Sequence, residues 1–127
     1  MKVLIIDDDA DIRSIARLTL SRVGGIDVIE AAGGLEGVQT AREGKPDVIL
    51  LDLMMPTMDG LATLAALRAQ PATARTPVIF LTANAVGDEV ERLTALGAAG
   101  VLVKPFDPHT LSDDVRALVK ESLDAVP

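Results

Sequence analysis

Four short apolar runs in this chain each end on a residue that carries charge or offers a hydroxyl. Val3–Ile6 runs into Asp7-Asp8-Asp9, Val48–Leu51 into Asp52, Val78–Leu81 into Thr82, and Val101–Val103 into Lys104-Pro105. If the runs are parallel strands, their ends share one rim, where carboxylates, a hydroxyl and an amine converge. Carboxylates so crowded repel one another and have raised pKa values unless a cation sits among them. Oxygen ligands from a few side chains, with waters completing an octahedron, suit Mg²⁺ better than a softer metal. A carboxylate oxygen of Asp52 can then attack a phosphoryl group to give an acyl phosphate. The cation, the ammonium of Lys104 and the hydroxyl of Thr82 would balance charge on the equatorial oxygens.

The elements that must position these groups follow from the pattern. Short apolar runs alternate with amphipathic segments, which is the signature of repeated βα units around a parallel sheet. Five strands are expected: Val3–Ile6, Asp27–Ala31, Val48–Leu51, Val78–Leu81 and Val101–Val103. Apolar residues recur between them at helical spacing: Ile12, Ile15 and Thr19; Leu35 and Val38; Leu61, Leu64 and Leu67; Val86, Val90 and Leu93; Leu111, Val115, Leu118 and Val119. Each stripe is expected to be one helix face laid on the sheet. Gly24-Gly25, Gly44, Gly97 and Gly100 punctuate helix ends, and Asp107-Pro108 reads as an N-cap with a first-turn proline. In doubly wound sheets, functional groups gather beyond the carboxyl ends of the strands.

Composition narrows the function. The 127 residues suit one domain with one core, and with only Phe80 and Phe106 as aromatics that core must be aliphatic. A formal net charge of -7 works against sequence-independent attraction to nucleic acid phosphates, so direct nucleic acid binding is not expected. With no cysteine, disulfides, thiolate catalysis and cysteine metal sites are excluded. The apolar N-terminal run is too short for a signal peptide or a membrane span.

Each candidate has a plainer reading. Asp9 or Asp11 can serve only as a cap and dipole partner for the first helix, and Asp52 alone could start a turn before Pro56. Asp59-Gly60 reads as a turn and helix start. His109, the sole histidine, falls in the first turn of the last expected helix, where a solvated or capping role is expected.

The motifs in combination carry a resemblance. Ile5-Ile6-Asp7-Asp8, Leu51-Asp52-Leu53-Met54-Met55-Pro56 leading to Met58-Asp59-Gly60, Phe80-Leu81-Thr82-Ala83 and Val103-Lys104-Pro105-Phe106 resemble the receiver domains of bacterial response regulators, of the chemotaxis-regulator-like kind. The resemblance covers essentially the whole chain. It implies an α/β fold with a five-stranded doubly wound parallel sheet, flavodoxin-like, in strand order 2-1-3-4-5 with five helices. It also implies Asp52 as phosphoacceptor, Asp8 as a direct Mg²⁺ ligand, Asp7 as an outer-shell acid, Met54 as a ligand through its carbonyl, and Thr82 and Lys104 as contacts to the phosphoryl oxygens. The Lys104-Pro105 bond is expected to be cis, as is usual in the family.

The implied function is that of a cytoplasmic phosphoprotein in a two-component or phosphorelay pathway. A sensor histidine kinase or histidine phosphotransfer protein would donate the phosphoryl group, and a downstream protein would read the switched face. Only autocatalytic acceptance and slow autodephosphorylation are expected, not enzymatic turnover. The chain ends soon after the last helix, so residues 1–127 are expected to be a single receiver domain without an output domain. Many receivers carry Tyr or Phe where this chain has Val101, so aromatic gating is not available to it. Met54 and Asn84 fall where the family tunes access of water to the acyl phosphate, and neither is charged. The alternatives are a flavodoxin-like electron carrier, a Mg²⁺-dependent aspartyl-phosphate phosphatase built on Asp7 and Asp9, and a non-phosphorylated interaction module. Three carboxylates in the first loop and the lack of Trp and Tyr count against the first. No insertion is long enough to cap the second, and the complete acidic set makes the third superfluous.

Overall fold

The computed structural model describes residues 1–84 and 87–124; of Asp124 only the backbone is described. Five strands alternate with five helices: β1 (Lys2–Ile6), α1 (Ala10–Arg22), β2 (Asp27–Ala31), α2 (Gly34–Gly44), β3 (Val48–Asp52), α3 (Gly60–Ala69), β4 (Val78–Thr82), α4 (Gly87–Ala95), β5 (Gly100–Val103) and α5 (Leu111–Asp124). The sheet is parallel throughout in the order β2-β1-β3-β4-β5. This is the doubly wound, flavodoxin-like arrangement the sequence implies. No helix among the described residues is long and apolar enough to cross a membrane.

The unbroken apolar runs exist because both sheet faces are covered. Along β1, Leu4 and Ile6 enter one hydrophobic cluster and Val3 and Ile5 the other. Helices α2, α3 and α4 cover the first cluster, which holds Phe80, Leu67 and Leu93; α1 and α5 cover the second, which holds Leu20, Val115 and Val119. Full burial of each Leu, Ile or Val stabilises the fold by about 1.5–3 kcal/mol before conformational entropy is counted.

Two expected helix stripes hold in part: Ile12 and Thr19 in α1 and Val38 in α2 face the core, but one member of each turns outward. Ile15 is 44% exposed and Leu35 75% exposed, while Ala16 and Leu20 in α1, and Gly34, Gly37 and Ala41 in α2, take the buried positions. The reason is close approach. A Cβ on Gly37 would lie 2.5 Å from Ile6 Cδ1, and one on Gly34 2.5 Å from Thr63 Oγ1, so α2 rests on its glycines and turns Leu35 outward. Val86, expected on the α4 stripe, lies outside the described residues.

Punctuation also differs in detail. Gly44 is the last residue of α2, and Lys45 takes the left-handed cap conformation at φ 47°. Gly100 opens β5. Asp107 caps a turn ahead of α5: its Oδ1 accepts the His109 N–H at 2.8 Å, and its carbonyl accepts the N–H of Thr110 and Leu111. The helix itself begins at Leu111, three residues later than Asp107-Pro108 suggests.

Candidate functional site

The register sets the level of the rim. Ile6 of β1 pairs with Leu51, Asp52 of β3 with Leu81, and Thr82 of β4 with Val103. Asp52 and Thr82 are therefore the last residues of their strands, not the first beyond them. Asp7 and Lys104 continue the pairing by one bond each, Asp7 N–H to Ala31 O at 3.2 Å and Lys104 N–H to Thr82 O at 2.8 Å. The Lys104-Pro105 bond is cis, as expected.

These positions bring a cation and two carboxylates together. Lys104 Nζ lies 2.6 Å from Asp7 Oδ2 and 3.2 Å from Asp52 Oδ1. Asp7 is fully buried and Asp52 is 5% exposed. Asp7 Oδ1 accepts the Asp9 N–H at 2.9 Å, and Asp52 Oδ1 accepts the Met54 N–H at 3.3 Å. Asp8, between the two anchored aspartates, is exposed and makes no ion pair or side-chain hydrogen bond among the described residues. One carboxylate oxygen each from Asp7, Asp8 and Asp52 lie within 4.8 Å of one another.

Two buried carboxylates facing one ammonium leave the pocket short of positive charge. Burial, then the negative charge of Asp7, pushes the Asp52 carboxyl up to about 6, against the opposing pull of Lys104 and the Met54 N–H. Burial works to lower Lys104, yet contacts with Asp7 and then Asp52 outweigh it and hold the ammonium above its usual range. Asp7 Oδ2 is buried and, although close to Lys104, accepts no hydrogen bond of good angle, so that approach is a charge contact and the oxygen is left orphaned. An orphaned buried carboxylate oxygen, an unpartnered Asp8 and an all-oxygen donor set fit a hard divalent cation, and the acidic cluster can hold one.

Thr82 is buried, with its hydroxyl donating to Asn84 O at 3.4 Å and accepting the Asn84 N–H at 3.2 Å. With Leu53, Met54, Ala83, Asn84 and Glu89 it lines a groove of about 350 Å³. The Met54 side chain is 77% exposed and flanks that groove. The groove carries an acid that sequence reasoning missed: Glu89 stands seven residues beyond Thr82, and only the fold of α4 returns it here. Its carboxylate pairs with Arg92 at 2.8 Å.

Other candidates fall outside the cluster. Asp9 caps α1, its Oδ1 accepting the N–H of Asp11 and Ile12, which removes it from the acid role a phosphatase would need. Asp59 caps α3 through the Ala62 N–H at 2.8 Å. Gly60 carries more than a helix start: a Cβ there would lie 2.6 Å from the Asp52 carbonyl oxygen and 2.8 Å from Leu53 Cα. The start of α3 is thus pressed against the backbone of Asp52. Between them, Thr57 adopts φ 69° in a turn closed by Met58 N–H to Pro56 O at 2.7 Å, a strained conformation for a β-branched residue.

Residues 3–116 match the family model described as response regulator receiver domain. Curated relatives include the DNA-binding dual master transcriptional regulator RpaA of Synechocystis, 38% identical over 99% of this chain and 52% of its own length. Another is the alkaline phosphatase synthesis transcriptional regulatory protein PhoP of Bacillus subtilis, 35% identical over 99% of this chain and 51% of its own length. The chain spans about half the length of these relatives, which are named as transcriptional regulators and so do not support the expectation of no contact with nucleic acid. Among solved structures, the chemotaxis protein CheY4 of Vibrio cholerae superposes with a TM-score of 0.85 at 37% identity, covering 92% of this chain and 97% of that one. The receiver domain of a DNA-binding response regulator from Colwellia psychrerythraea 34H gives 0.81 at 31% identity, over 94% and 98%. The family match across nearly all of β1 to α5, together with the rim that carries its motifs, makes this chain a member of the response regulator receiver domain family.

Proposed function

We propose that the chain accepts a phosphoryl group on Asp52 from a phosphohistidine of a sensor kinase or phosphotransfer protein, with Mg²⁺ bound, and so switches a face read by a downstream partner. The observation that carries this reading is Lys104 Nζ set between Asp7 and Asp52 beside an orphaned carboxylate oxygen. Asp8, Asp52 and the Met54 carbonyl would hold the cation, with Asp7 as an outer acid. Bound there, Mg²⁺ supplies positive charge against the phosphoryl oxygens.

The protein's own groups divide the remaining work. Contacts from Lys104 and the Met54 N–H both fall on Asp52 Oδ1, which leaves Oδ2 to attack. The phosphorus–nitrogen bond of phosphohistidine breaks as the bond to Oδ2 forms, and the departing imidazole takes up a proton. Lys104 turns from bridging two carboxylates to meeting a phosphoryl oxygen. The Thr82 hydroxyl, bonded among the described residues within its own turn to Asn84, is available to follow and bias the loop and α4 beyond it. The chemistry is stoichiometric acceptance with slow self-hydrolysis, not turnover, in the cytoplasm. For a chain matching half of relatives named as transcriptional regulators, the readout is a protein contact or, through such a further domain, DNA.

The test is intact-mass measurement after incubation with a small phosphodonor and Mg²⁺. One phosphoryl adduct is expected on the wild type and none on Asp52→Asn; equal stable adducts on both would overturn the assignment.

A further inference from the structure

Among the described residues Asp8 has no side-chain partner, yet the backbone on both sides of it is tied down, and one residue supplies both ties. The Arg13 guanidinium donates to the Asp7 carbonyl at 2.8 Å, and the Arg13 backbone N–H donates to the Asp9 carbonyl at 3.1 Å. The Asp7 carbonyl belongs to the same planar peptide as the Asp8 N–H, so holding that oxygen fixes the plane from which Asp8 projects. The strand has no further bond for this carbonyl: pairing with β2 ends at Asp7 N–H to Ala31 O.

Arg13 is itself held from β2. Its Nε lies 3.3 Å from Glu30 Oε1, and Arg17 Nη1 lies 2.6 Å from Glu30 Oε2. Glu30 sits beside Ile5 in the sheet register, one strand away from the acidic loop. It therefore does two things. It aims the guanidinium at the Asp7 carbonyl, and it offsets a positive charge that would otherwise repel a cation entering the cluster.

We propose that Arg13 is a positioning residue for the divalent cation and that Glu30 is its counter-charge, so that this pair sets the affinity of the acidic cluster. The inference rests on the reading of Asp8 as a cation ligand and adds its regulation by residues that never touch the ion. Two groups that hold no metal would thus fix one that does, as outer-shell partners do for ligands elsewhere.

The experiment is calorimetric titration of the full chain with Mg²⁺ at low and high salt, with unfolding midpoints measured in metal-free buffer. Arg13→Lys keeps the charge but loses the planar fork that reaches both Asp7 and Glu30, and is expected to weaken Mg²⁺ binding about tenfold. Glu30→Gln keeps the hold on Asp7 but uncovers the charge; the expected loss is about threefold at low salt and disappears as salt screens it. Arg17→Gln touches Glu30 but not Asp7, and is expected to bind Mg²⁺ as well as the wild type or better. A merely structural role would make Arg13→Lys and Arg17→Gln act alike, tracking their midpoints, and that result overturns the proposal. So does a Glu30→Gln loss that salt leaves unchanged. Asp8→Ala separates the two levels: wild-type affinity in that variant sinks the underlying ligand reading, whereas lost affinity there with wild-type affinity in Arg13→Lys sinks only the role of Arg13.

Discussion

Removing the Asp52 carboxylate should stabilise the metal-free protein. Asp52 is nearly buried, faces Asp7, and shares one ammonium with it, which pushes its carboxyl from an ordinary 3.8 up to about 6. Below pH 3.8 the group is protonated in folded and unfolded chains alike. Between 3.8 and about 6 the folded chain keeps a proton that the unfolded chain releases, so stability falls as pH rises through that window, and above it the full cost is present. That cost is about 3 kcal/mol at its ceiling. Asp52→Asn removes it while Lys104 keeps Asp7 as partner; the Lys104–Asp52 attraction is already inside that net cost, and the burial of an amide in place of the carboxylate sets the gain between about 1 and 3 kcal/mol at pH 7.5. Near pH 4.5 it should shrink to about 1 kcal/mol or less. The chain has no Trp or Tyr, so the assay is urea unfolding followed by far-ultraviolet circular dichroism. For a slope of about 2 kcal/mol/M, the midpoint should rise by about 1 M at pH 7.5. Saturating Mg²⁺ should narrow the gap, because on the proposed ligand set the wild type gains more from the cation than a variant without the Asp52 carboxylate. A lower midpoint for Asp52→Asn at pH 7.5, or a gain undiminished at pH 4.5, would refute the electrostatic reasoning.

Two further outcomes follow from the loop behind Asp52. Gly60→Ala should destabilise the protein by about 1–3 kcal/mol and slow phosphoryl acceptance, since its Cβ meets backbone atoms of Asp52 and Leu53 that cannot swing aside; urea midpoints and adduct formation over time check both. Thr57→Asn should raise stability by about 0.5–1 kcal/mol without altering Mg²⁺ affinity, because asparagine tolerates positive φ and threonine does not; an unchanged or lower unfolding midpoint would count against strain at that turn.

The sheet was legible because its three inner strands, β1, β3 and β4, are built on continuous apolar runs, and only strands buried on both faces need them. Asp27–Ala31 is both the expected span and β2, and each of the other strands differs by one residue at one end. Helix faces were less legible. Periodicity weighs large apolar side chains, so it selected Ile15 and Leu35, whereas the buried positions of α2 belong to Gly34, Gly37 and Ala41, which register as neutral. At the site, residues at strand ends could be found because strand ends share a rim. Those that arrive from elsewhere could not. Glu89 reaches the groove only through the placement of α4, and Arg13 and Glu30 meet across α1 and β2 from seventeen positions apart. Gly60 read as a turn because a missing Cβ leaves no trace in composition.

The sheet divides the core into two clusters that share no side chain, one beneath α2, α3 and α4 and the other beneath α1 and α5. Substitutions on opposite sides are expected to add, since a hydrogen-bonded backbone stands between the layers and the two clusters have no side chain in common. Mutational drift can therefore proceed on the two sides at separate rates. One side can change its outer helices to suit a new partner while the other keeps its own, and the acidic rim, where β1, β3, β4 and β5 end together, is the place at which both inheritances must still agree.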